Sequence, residues 1–309
     1  MVILCRIQSI EYTTVSISRI FYNVSSNVDD EKTTDIDDSS ILCLDMEHRL
    51  NSEKFFPQSP IIFAPSLKFS KLLRLPYRYA QWKSSSIYPR LLTPCGHSLL
   101  MNLLVIFDRI SREYHITYFI VYGTLLGSLR HHDIIPWDDD IDIWIHYHQQ
   151  TLIYQAFQQL NQTLVEYRLV RTRRKERNYY KLYYKNSPNT SQYFWKYPFI
   201  DVFPYMQNET HLWSSGDLNN PISVKYVFPL ILRPLGQLWL PAPNKPHQMF
   251  GSSSFNACLS HTWDHRKEVP AKQYTMECNE LKDIYPFVER NGSTEVLKIN
   301  NTIIHTIVF

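Results

Sequence analysis

Residues 123–145 read GTLLGSLRHHDIIPWDDDIDIWI. Two of the chain's 7 glycines lie four residues apart at the start of this stretch, and aspartates crowd into its end. In DIDIWI, residues 140–145, acidic and apolar side chains alternate. This pattern predicts a strand with its aspartates on one face and its isoleucines on the other. The residues from Thr124 to Arg130 predict the first turns of a helix after Gly123.

The aspartates have the chemistry of a divalent-metal site. Asp140 and Asp142 share a strand face, and two ionised carboxylates so close together repel unless a cation lies between them. Carboxylate oxygens are the ligands that Mg²⁺ and Mn²⁺ prefer. Asp138 reaches the same ions from the strand's entry, whereas Asp139 is expected to face the opposite side. A solvated acidic loop is the alternative, but the flanking IIPW and IDIWI are too apolar for one.

The glycine-containing turn before the aspartates predicts a phosphate contact. Glycine lets the backbone approach a ligand closely, and a helix N-terminus favours anions. Arg130 can add a bidentate phosphate contact, although an ion pair with the acidic cluster is equally open. Two lysines on one face of a later strand predict further diphosphate contacts. The expected substrate-binding residues are therefore Gly123, Thr124, Gly127, Ser128, Arg130, Lys181 and Lys185.

Periodicity over the rest of the chain predicts an α/β (α+β) fold. HSLLMNLLVIFDRISREY (97–114) has helical spacing, and residues 148–161 are also expected to be helical. Four apolar segments predict strands: HITYFIVY (115–122), LVEYRLVR (164–171), NYYKLYYK (178–185) and PFIDVFPY (198–205). Helices and strands in this order predict a mixed sheet flanked by helices. Beyond residue 225 the chain is proline-rich and its pattern is weak.

The N-terminal third has a different character. Residues 1–60 predict a poorly ordered leader, since residues 27–40 are acidic and polar. Residues 61–95 are basic and aromatic and predict a stem or an edge segment packed on the domain. The first 22 residues are interrupted by charges and are neither a clean signal peptide nor a spanning helix. We therefore expect any membrane association to use an anchor that is missing or degenerate.

The composition limits which partners and which cellular compartment we expect. Hydrophobic residues at 44% and charged residues at 20% are typical of a globular protein. The formal charge of +3 is too small to argue for nucleic acid, which we do not expect as a partner. Among the 5 cysteines no CxxC occurs, and Cys258 and Cys278 form either a local disulfide or buried thiols. Sequons for N-glycosylation favour the secretory pathway; they begin at Asn23, Asn161, Asn189, Asn208, Asn291 and Asn300.

GTLLGSLRHHDIIPWDDDIDI closely resembles the signature of the LicD family, which includes bacterial phosphorylcholine transferases, fukutin and fukutin-related protein. KLYYKNSPNTSQYFWKYPFIDVFPYMQNETHLW (181–213) and TWDHRKE (262–268) also resemble uncharacterised animal LicD-like proteins. The resemblance implies a nucleotidyltransferase-type fold over residues 96–290, followed by a tail at 291–309. It also implies a third carboxylate on a neighbouring strand, for which Asp201 is the candidate. A border of the acceptor pocket and a structural corner are both open for Trp263, Asp264 and His265, and the corner is favoured.

The resemblance implies transfer of a phospho-alcohol, such as phosphoribitol or phosphocholine, from a CDP-activated donor to a glycan or glycoprotein hydroxyl in the Golgi lumen. The implied cofactor is Mg²⁺ or Mn²⁺, with Asp138, Asp140, Asp142 and Asp201 as ligands. Asp140, Asp142 and Asp201 are the implied catalytic residues. One alternative is a glycosyltransferase whose DxD motif holds a nucleotide sugar, and another is a non-catalytic binding member of the fold.

Overall fold

The core of the fold is a mixed sheet whose central pair of strands is parallel. The computed structural model describes residues 78–79, 83–160, 165–172, 177–215, 217–250 and 255–309. All of these residues belong to one compact unit. The helices are α1 (Pro94–Glu113), α2 (Tyr122–Arg130), α3 (Gln150–Gln158) and α4 (Val224–Val227).

Seven strands form the main sheet: β1 (Tyr118–Ile120), β2 (Ile141–His146), β3 (Val165–Val170), β4 (Tyr179–Tyr184), β5 (Phe199–Gln207), β6 (His211–Ser214) and β7 (Asp217–Ser223). The order is β1-β2-β5-β4-β3, and β6 pairs with the end of β5 and with β7. Only β2 and β5 run parallel, because the chain crosses over between them through α3 and the β3–β4 hairpin. The prediction of a mixed sheet flanked by helices is confirmed.

The alternation read from DIDIWI places the core on one face of β2. Ile141, Ile143 and Ile145 are buried in the main core with side chains of α1 and α3, including Phe107 and Phe157. Thr93 precedes helix α1 and caps it, because its side-chain hydroxyl accepts a hydrogen bond from the Gly96 backbone N–H. Apolar burial on this face of the sheet fixes the register of β2, and so the positions of its aspartates.

The remaining elements follow residue 230, where the sequence pattern is weak. They are β8 (Ile231–Leu235), β9 (Leu238–Ala242), β10 (Ala257–Leu259), β11 (Trp263–Asp264), β12 (Val269–Pro270), β13 (Thr275–Glu277), β14 (Phe287–Asn291), β15 (Thr294–Ile299) and β16 (Thr302–Val308). Short antiparallel pairs join β8 to β9, β10 to β13, and β11 to β12. Strands this short carry too few residues for alternation to be recognised.

The C-terminal residues 291–309 do not form the tail that we expected beyond the domain. Strands β14, β15 and β16 build a three-stranded antiparallel sheet. Glu295 of β15 is buried and accepts hydrogen bonds from Arg233, with Nη1 at 2.9 Å and Nη2 at 2.8 Å, and lies 2.8 Å from His132. Burial opposes ionisation, but the hydrogen bonds from His132 and Arg233 hold the pKa of Glu295 well below its usual range. A buried ion pair therefore ties the C-terminal sheet to β8.

We expect Glu295→Gln to lower the free energy of unfolding by about 3 kcal/mol, because it leaves the buried Arg233 charge without its carboxylate. Urea denaturation at neutral pH measures the change. Glu289→Gln is the matched control, since Glu289 is an exposed residue of the same sheet that pairs with Lys298, and its loss should cost under about 1 kcal/mol. Equal effects of the two substitutions would contradict this account of the C-terminal sheet.

The predicted leader at residues 1–60 lies outside the described residues. In the predicted stem or edge segment, the described part packs on the domain: Tyr88 is buried and donates a hydrogen bond to the Cys258 carbonyl, at 3.0 Å. No helix in the described part of the chain is long and apolar enough to cross a membrane.

Candidate active site

Three neighbouring strands bring charged side chains into one row across the sheet. Asp142 on β2 is the register partner of Asp201 on β5, and Asp201 is the partner of Lys181 on β4. Partners in adjacent strands point to the same face, so the three side chains lie side by side. Lys181 Nζ lies 3.0 Å from both carboxylate oxygens of Asp201 and 3.3 Å from Glu268 Oε1. The buried ammonium group of Lys181 therefore lies between the Asp201 carboxylate of the sheet and the Glu268 carboxylate.

Asp140, Asp142 and Asp201 have the donor atoms and the spacing of a cation site. Each offers a carboxylate oxygen, and these oxygens lie within 4.8 Å of one another. Burial raises the pKa of Asp140 to about 6 and the pKa of Asp201 to about 6, although Lys181 lowers both. Burial, followed by the charges of Asp140 and Asp201, raises the pKa of Asp142 well above its usual value. A divalent cation fits this cluster, because it would relieve the repulsion that these pKa values reflect.

The other two aspartates of the acidic run, Asp138 and Asp139, lie before the strand. Strand β2 begins at Ile141, so the alternation of side chains does not extend back through the acidic run. Asp138 lines the same pocket as the carboxylate cluster, and burial followed by the charge of Asp140 raises its pKa to about 7. Asp139, which we expected on the opposite side, does not line that pocket. It nevertheless offers a carboxylate oxygen within 4.8 Å of ligand atoms of Asp140 and His265.

The first turn of α2 supports the acidic run directly. Thr124 is buried, and its hydroxyl accepts a hydrogen bond from the Asp142 backbone N–H at 2.8 Å. A Cβ on Gly123 would overlap the carboxylate of Asp138, so only glycine lets that side chain occupy its position. A Cβ on Gly127 would lie 2.9 Å from the Ile135 backbone nitrogen. Gly123 thus borders the pocket, whereas Gly127 allows the helix to pack against the following loop.

We expect Gly123→Ala to lower the rate of catalysis about 10- to 100-fold, because the added methyl displaces the Asp138 carboxylate. The melting temperature should change little, since a side chain can move where backbone cannot. Gly127→Ala is the comparison: its methyl meets backbone, so we expect it to destabilise the protein by about 1–3 kcal/mol. Turnover assays and thermal melts of both variants measure the difference. Wild-type turnover in Gly123→Ala would argue against a role for this turn.

Two other expected substrate contacts lie away from the pocket. Helix α2 carries Arg130 about 10 Å along its axis from Gly123, where the guanidinium lies 3.6 Å from Cys258 Sγ and 3.7 Å from Cys278 Sγ. Burial lowers the pKa of Arg130 to about 10. Ser128 is fully buried, and its carbonyl accepts a hydrogen bond from Arg233. Neither of them lines the acidic pocket.

Lys181 and Lys185, which we expected to contact one diphosphate, lie in different environments. Lys181 is 1% exposed and is already paired with Asp201 and Glu268. Lys185 lies just beyond the end of β4 with half of its side chain exposed, 3.7 Å from Glu166. The shared strand face that we predicted therefore does not bring both lysines to one ligand. Lys181 neutralises the acidic cluster, and Lys185 is a surface residue.

A wall that the sequence indicated only in part, as the less favoured interpretation of Trp263 and His265, faces the carboxylates. It consists of Trp137 and residues between β10 and β13: Leu259, Ser260, His261, Thr262, Trp263, His265 and Gln273. His265 Nε2 lies 3.4 Å from Asp140 Oδ2, and Glu268 accepts hydrogen bonds from the indole N–H groups of Trp195 and Trp263. The segment TWDHRKE (262–268) resembles the family, but its position in the pocket depends on contacts with residues far away in the chain, such as Asp140 and Trp195.

A disulfide closes the segment that carries this wall. Cys258 and Cys278 are bonded to each other, and their sequence numbers differ by 20. The disulfide settles the choice that the sequence left open between a bond and two buried thiols. Because a covalent link restricts the unfolded loop, it stabilises the wall in place.

Comparison with known proteins agrees with this geometry. Residues 115–245 match the family described as LicD/FKTN/FKRP, nucleotidyltransferase domain. The chain is 46% identical over 46 residues to the lipopolysaccharide cholinephosphotransferase LicD of Haemophilus influenzae, covering 15% of this chain and 17% of that protein. It is 28% identical over 134 residues to an uncharacterised protein of Rickettsia typhi, covering 43% of each chain. It is 30% identical over 102 residues to an uncharacterised Rickettsia prowazekii protein, covering 33% of this chain and 38% of that one.

These matches span less than half the length of each of the three relatives. The matched region nevertheless contains α2, the acidic run and the strands that carry Lys181 and Asp201. Residues 115–245, which contain the carboxylate cluster, therefore match the nucleotidyltransferase domain described for the LicD/FKTN/FKRP family.

Proposed function

We propose that this protein transfers a phospho-alcohol group from a CDP-activated donor to a hydroxyl group of a glycan, with Mg²⁺ or Mn²⁺ as the cofactor. The observation that carries the proposal is the convergence of Asp140, Asp142 and Asp201 in one pocket beside the first turn of α2. The match of residues 115–245 to a nucleotidyltransferase domain, and the similarity to a cholinephosphotransferase, support the same reaction class.

The cation would be held by Asp140, Asp142 and Asp201, with Asp138 beside them. A divalent ion held by these residues would supply positive charge to offset the charge that develops on the departing CMP. In the reaction, the acceptor oxygen bonds to the phosphorus that carries the alcohol. The bond from that phosphorus to the bridging oxygen of CMP breaks, and the hydroxyl proton leaves the acceptor.

Asp201 is the residue that we assign to that proton. Lys181 holds its carboxylate in place, and burial raises its pKa to about 6, near the pH at which a general base works well. Asp142 is its register partner on β2, so the two carboxylates lie on the same face of the sheet. A base beside the metal would receive the proton as the new phosphorus–oxygen bond forms.

The opposite wall supplies surfaces for the organic parts of the substrates. The pocket has a cavity volume of about 450 Å³, which lies in the range of small-molecule binding sites. Trp137 is buried in its floor, and Trp263 is 37% exposed at its rim. Aromatic faces bind bases and sugar rings by stacking. We propose that the exposed Trp263 stacks on a sugar of the acceptor glycan, because the glycan is the larger substrate and approaches the pocket from its rim.

We also propose that the protein works in the lumen of the Golgi or an earlier secretory compartment. The Cys258–Cys278 disulfide supports this proposal, because such bonds persist in oxidising compartments. The sequon residues Asn189, Asn208 and Asn291 are exposed, and Asn208 lies in the turn between β5 and β6; Asn161 lies outside the described residues. A mobility shift on enzymatic removal of N-glycans from secreted protein would test it, and unmodified sequons would count against it.

A panel of activated donors tests the proposed reaction. Purified protein is incubated with Mn²⁺, a mixture of glycan acceptors, and CDP-ribitol, CDP-choline or a set of UDP-sugars, and the released nucleotide is measured. We expect CMP from at least one CDP-alcohol and no UDP from the sugars. Release of UDP with intact CDP-alcohols would instead establish a glycosyltransferase. Binding without release of any nucleotide would indicate a non-catalytic member of the fold.

A further inference from the structure

A second group of ligand atoms lies on the other side of Asp140. Asp139, Asp140 and His265 each offer one ligand atom, and these atoms lie within 4.8 Å of one another. This group shares Asp140 with the Asp140–Asp142–Asp201 cluster and otherwise uses different residues. Two potential cation sites therefore meet at a single carboxylate.

Asp139 has an unsatisfied oxygen in this group. The residue is 3% exposed, and its Oδ1 is buried without a hydrogen-bond partner in the described part of the protein. The Tyr197 hydroxyl hydrogen-bonds to the side chain of Asp139. A buried carboxylate oxygen normally has a partner, because an unpaired one loses its hydration without gaining a hydrogen bond. The free oxygen points to a ligand that is absent from the described contacts.

His265 completes the group from the opposite wall. Its Nε2 lies 3.4 Å from Asp140 Oδ2, which is long for a hydrogen bond to a carboxylate. Its Nδ1 is buried and has no hydrogen-bond partner among the described residues. Phe199 packs edge-on against the imidazole with ring centroids 5.6 Å apart, which fixes the plane of the ring. The imidazole is thus oriented towards the carboxylates without a strong hydrogen bond to either.

We propose that Asp139, Asp140 and His265 form a second divalent-cation site that binds Mn²⁺ in preference to Mg²⁺. The inference rests on the proposed function in one respect, since it takes the neighbouring carboxylate cluster to be the first cation site. The spacing suits an ion with bonds of about 2.1 Å, whose opposite ligands lie about 4.2 Å apart. An imidazole nitrogen favours transition ions, whereas Mg²⁺ favours oxygen ligands alone.

Binding of Mn²⁺ to the full chain, without substrate, tests the second site. Free Mn²⁺ is measured by electron paramagnetic resonance during titration. We expect two ions per wild-type chain, one in His265→Ala and one in Asp142→Asn. His261→Ala is the matched control, because His261 lines the same pocket but belongs to neither ligand group, and it should bind two. Excess Mg²⁺ should displace one of the two wild-type ions and leave the other.

A spectroscopic measurement on the wild-type protein removes any dependence on the folding of variants. Pulsed measurements of bound Mn²⁺ should detect coupling to one ¹⁴N nucleus, and His265→Ala should lose it. A single ion that Asp142→Asn abolishes, with no ¹⁴N coupling, would overturn this inference and leave the proposed function standing. No bound Mn²⁺ in the wild type would overturn both.

Discussion

Asp142→Asn is expected to lower the rate of CMP release at least about a thousandfold while leaving the protein folded. Asparagine keeps the shape of the side chain but removes a charge from the cation cluster. An ion that stabilises the leaving group contributes several kcal/mol to the transition state, and each 1.4 kcal/mol corresponds to about a factor of ten. The measurement is single-donor turnover with the CDP-alcohol that the panel identifies.

The stability of the same variant distinguishes this effect from misfolding. Burial and the charges of Asp140 and Asp201 raise the pKa of Asp142, so its ionised form destabilises the metal-free folded state. We therefore expect Asp142→Asn to melt at the same or a higher temperature in chelator. Asp283→Asn is the control, since Asp283 is exposed and outside the pocket, and it should retain wild-type turnover. A variant with full activity would remove Asp142 from the catalytic site.

Lys181→Met is expected to have the largest effect on stability, about 5 kcal/mol in the absence of metal. Lys181 is 1% exposed and holds Asp201 and Glu268, with its Nζ 3.3 Å from the centre of the Phe199 ring. Removing one partner of a buried ion pair leaves the other charges uncompensated. In this pocket the uncompensated groups are carboxylates that already repel one another. Urea denaturation in chelator measures the loss.

Added Mn²⁺ should restore part of that stability, because binding to the folded state alone shifts unfolding by mass action. Lys185→Met is the matched control, because Lys185 lies just beyond the strand that carries Lys181 and half of its side chain is exposed. Its free energy of unfolding should fall by under about 1 kcal/mol in either condition. If Lys181→Met unfolded like the wild type in chelator, the buried ammonium group would not be what holds the carboxylates together.

Local patterns predicted the elements around the acidic run well. The strand over residues 140–145 and the helix after Gly123 correspond to β2 and α2, each displaced by one or two residues. The reason is physical: side chains that alternate between a core and a pocket are specified within six residues. Asp139 shows the limit, since residues 138–140 precede the strand and alternation along β2 does not fix the direction of their side chains.

Contacts between distant segments were not predictable in this way. Asp201 came from resemblance to a family rather than from its neighbours, and its alignment with Asp142 depends on the register of β2 against β5. His265 and Glu268 reach the site from a segment with weak periodicity, held by a disulfide. The buried pair of Arg233 and Glu295 joins strands 62 residues apart. Nothing local to either residue indicates its partner.

Calorimetric titration of the wild-type protein with CDP-ribitol and CDP-choline, in Mn²⁺ and in chelator, tests the central claim most directly. The carboxylate cluster carries no net affinity for a diphosphate of its own, because like charges repel. We predict that at least one CDP-alcohol binds in Mn²⁺, that its dissociation constant rises at least about a hundredfold in chelator, and that UDP-sugars do not compete. Equal affinity in chelator, or displacement of the CDP-alcohol by a UDP-sugar, would contradict a metal-dependent CDP-alcohol site at Asp140, Asp142 and Asp201.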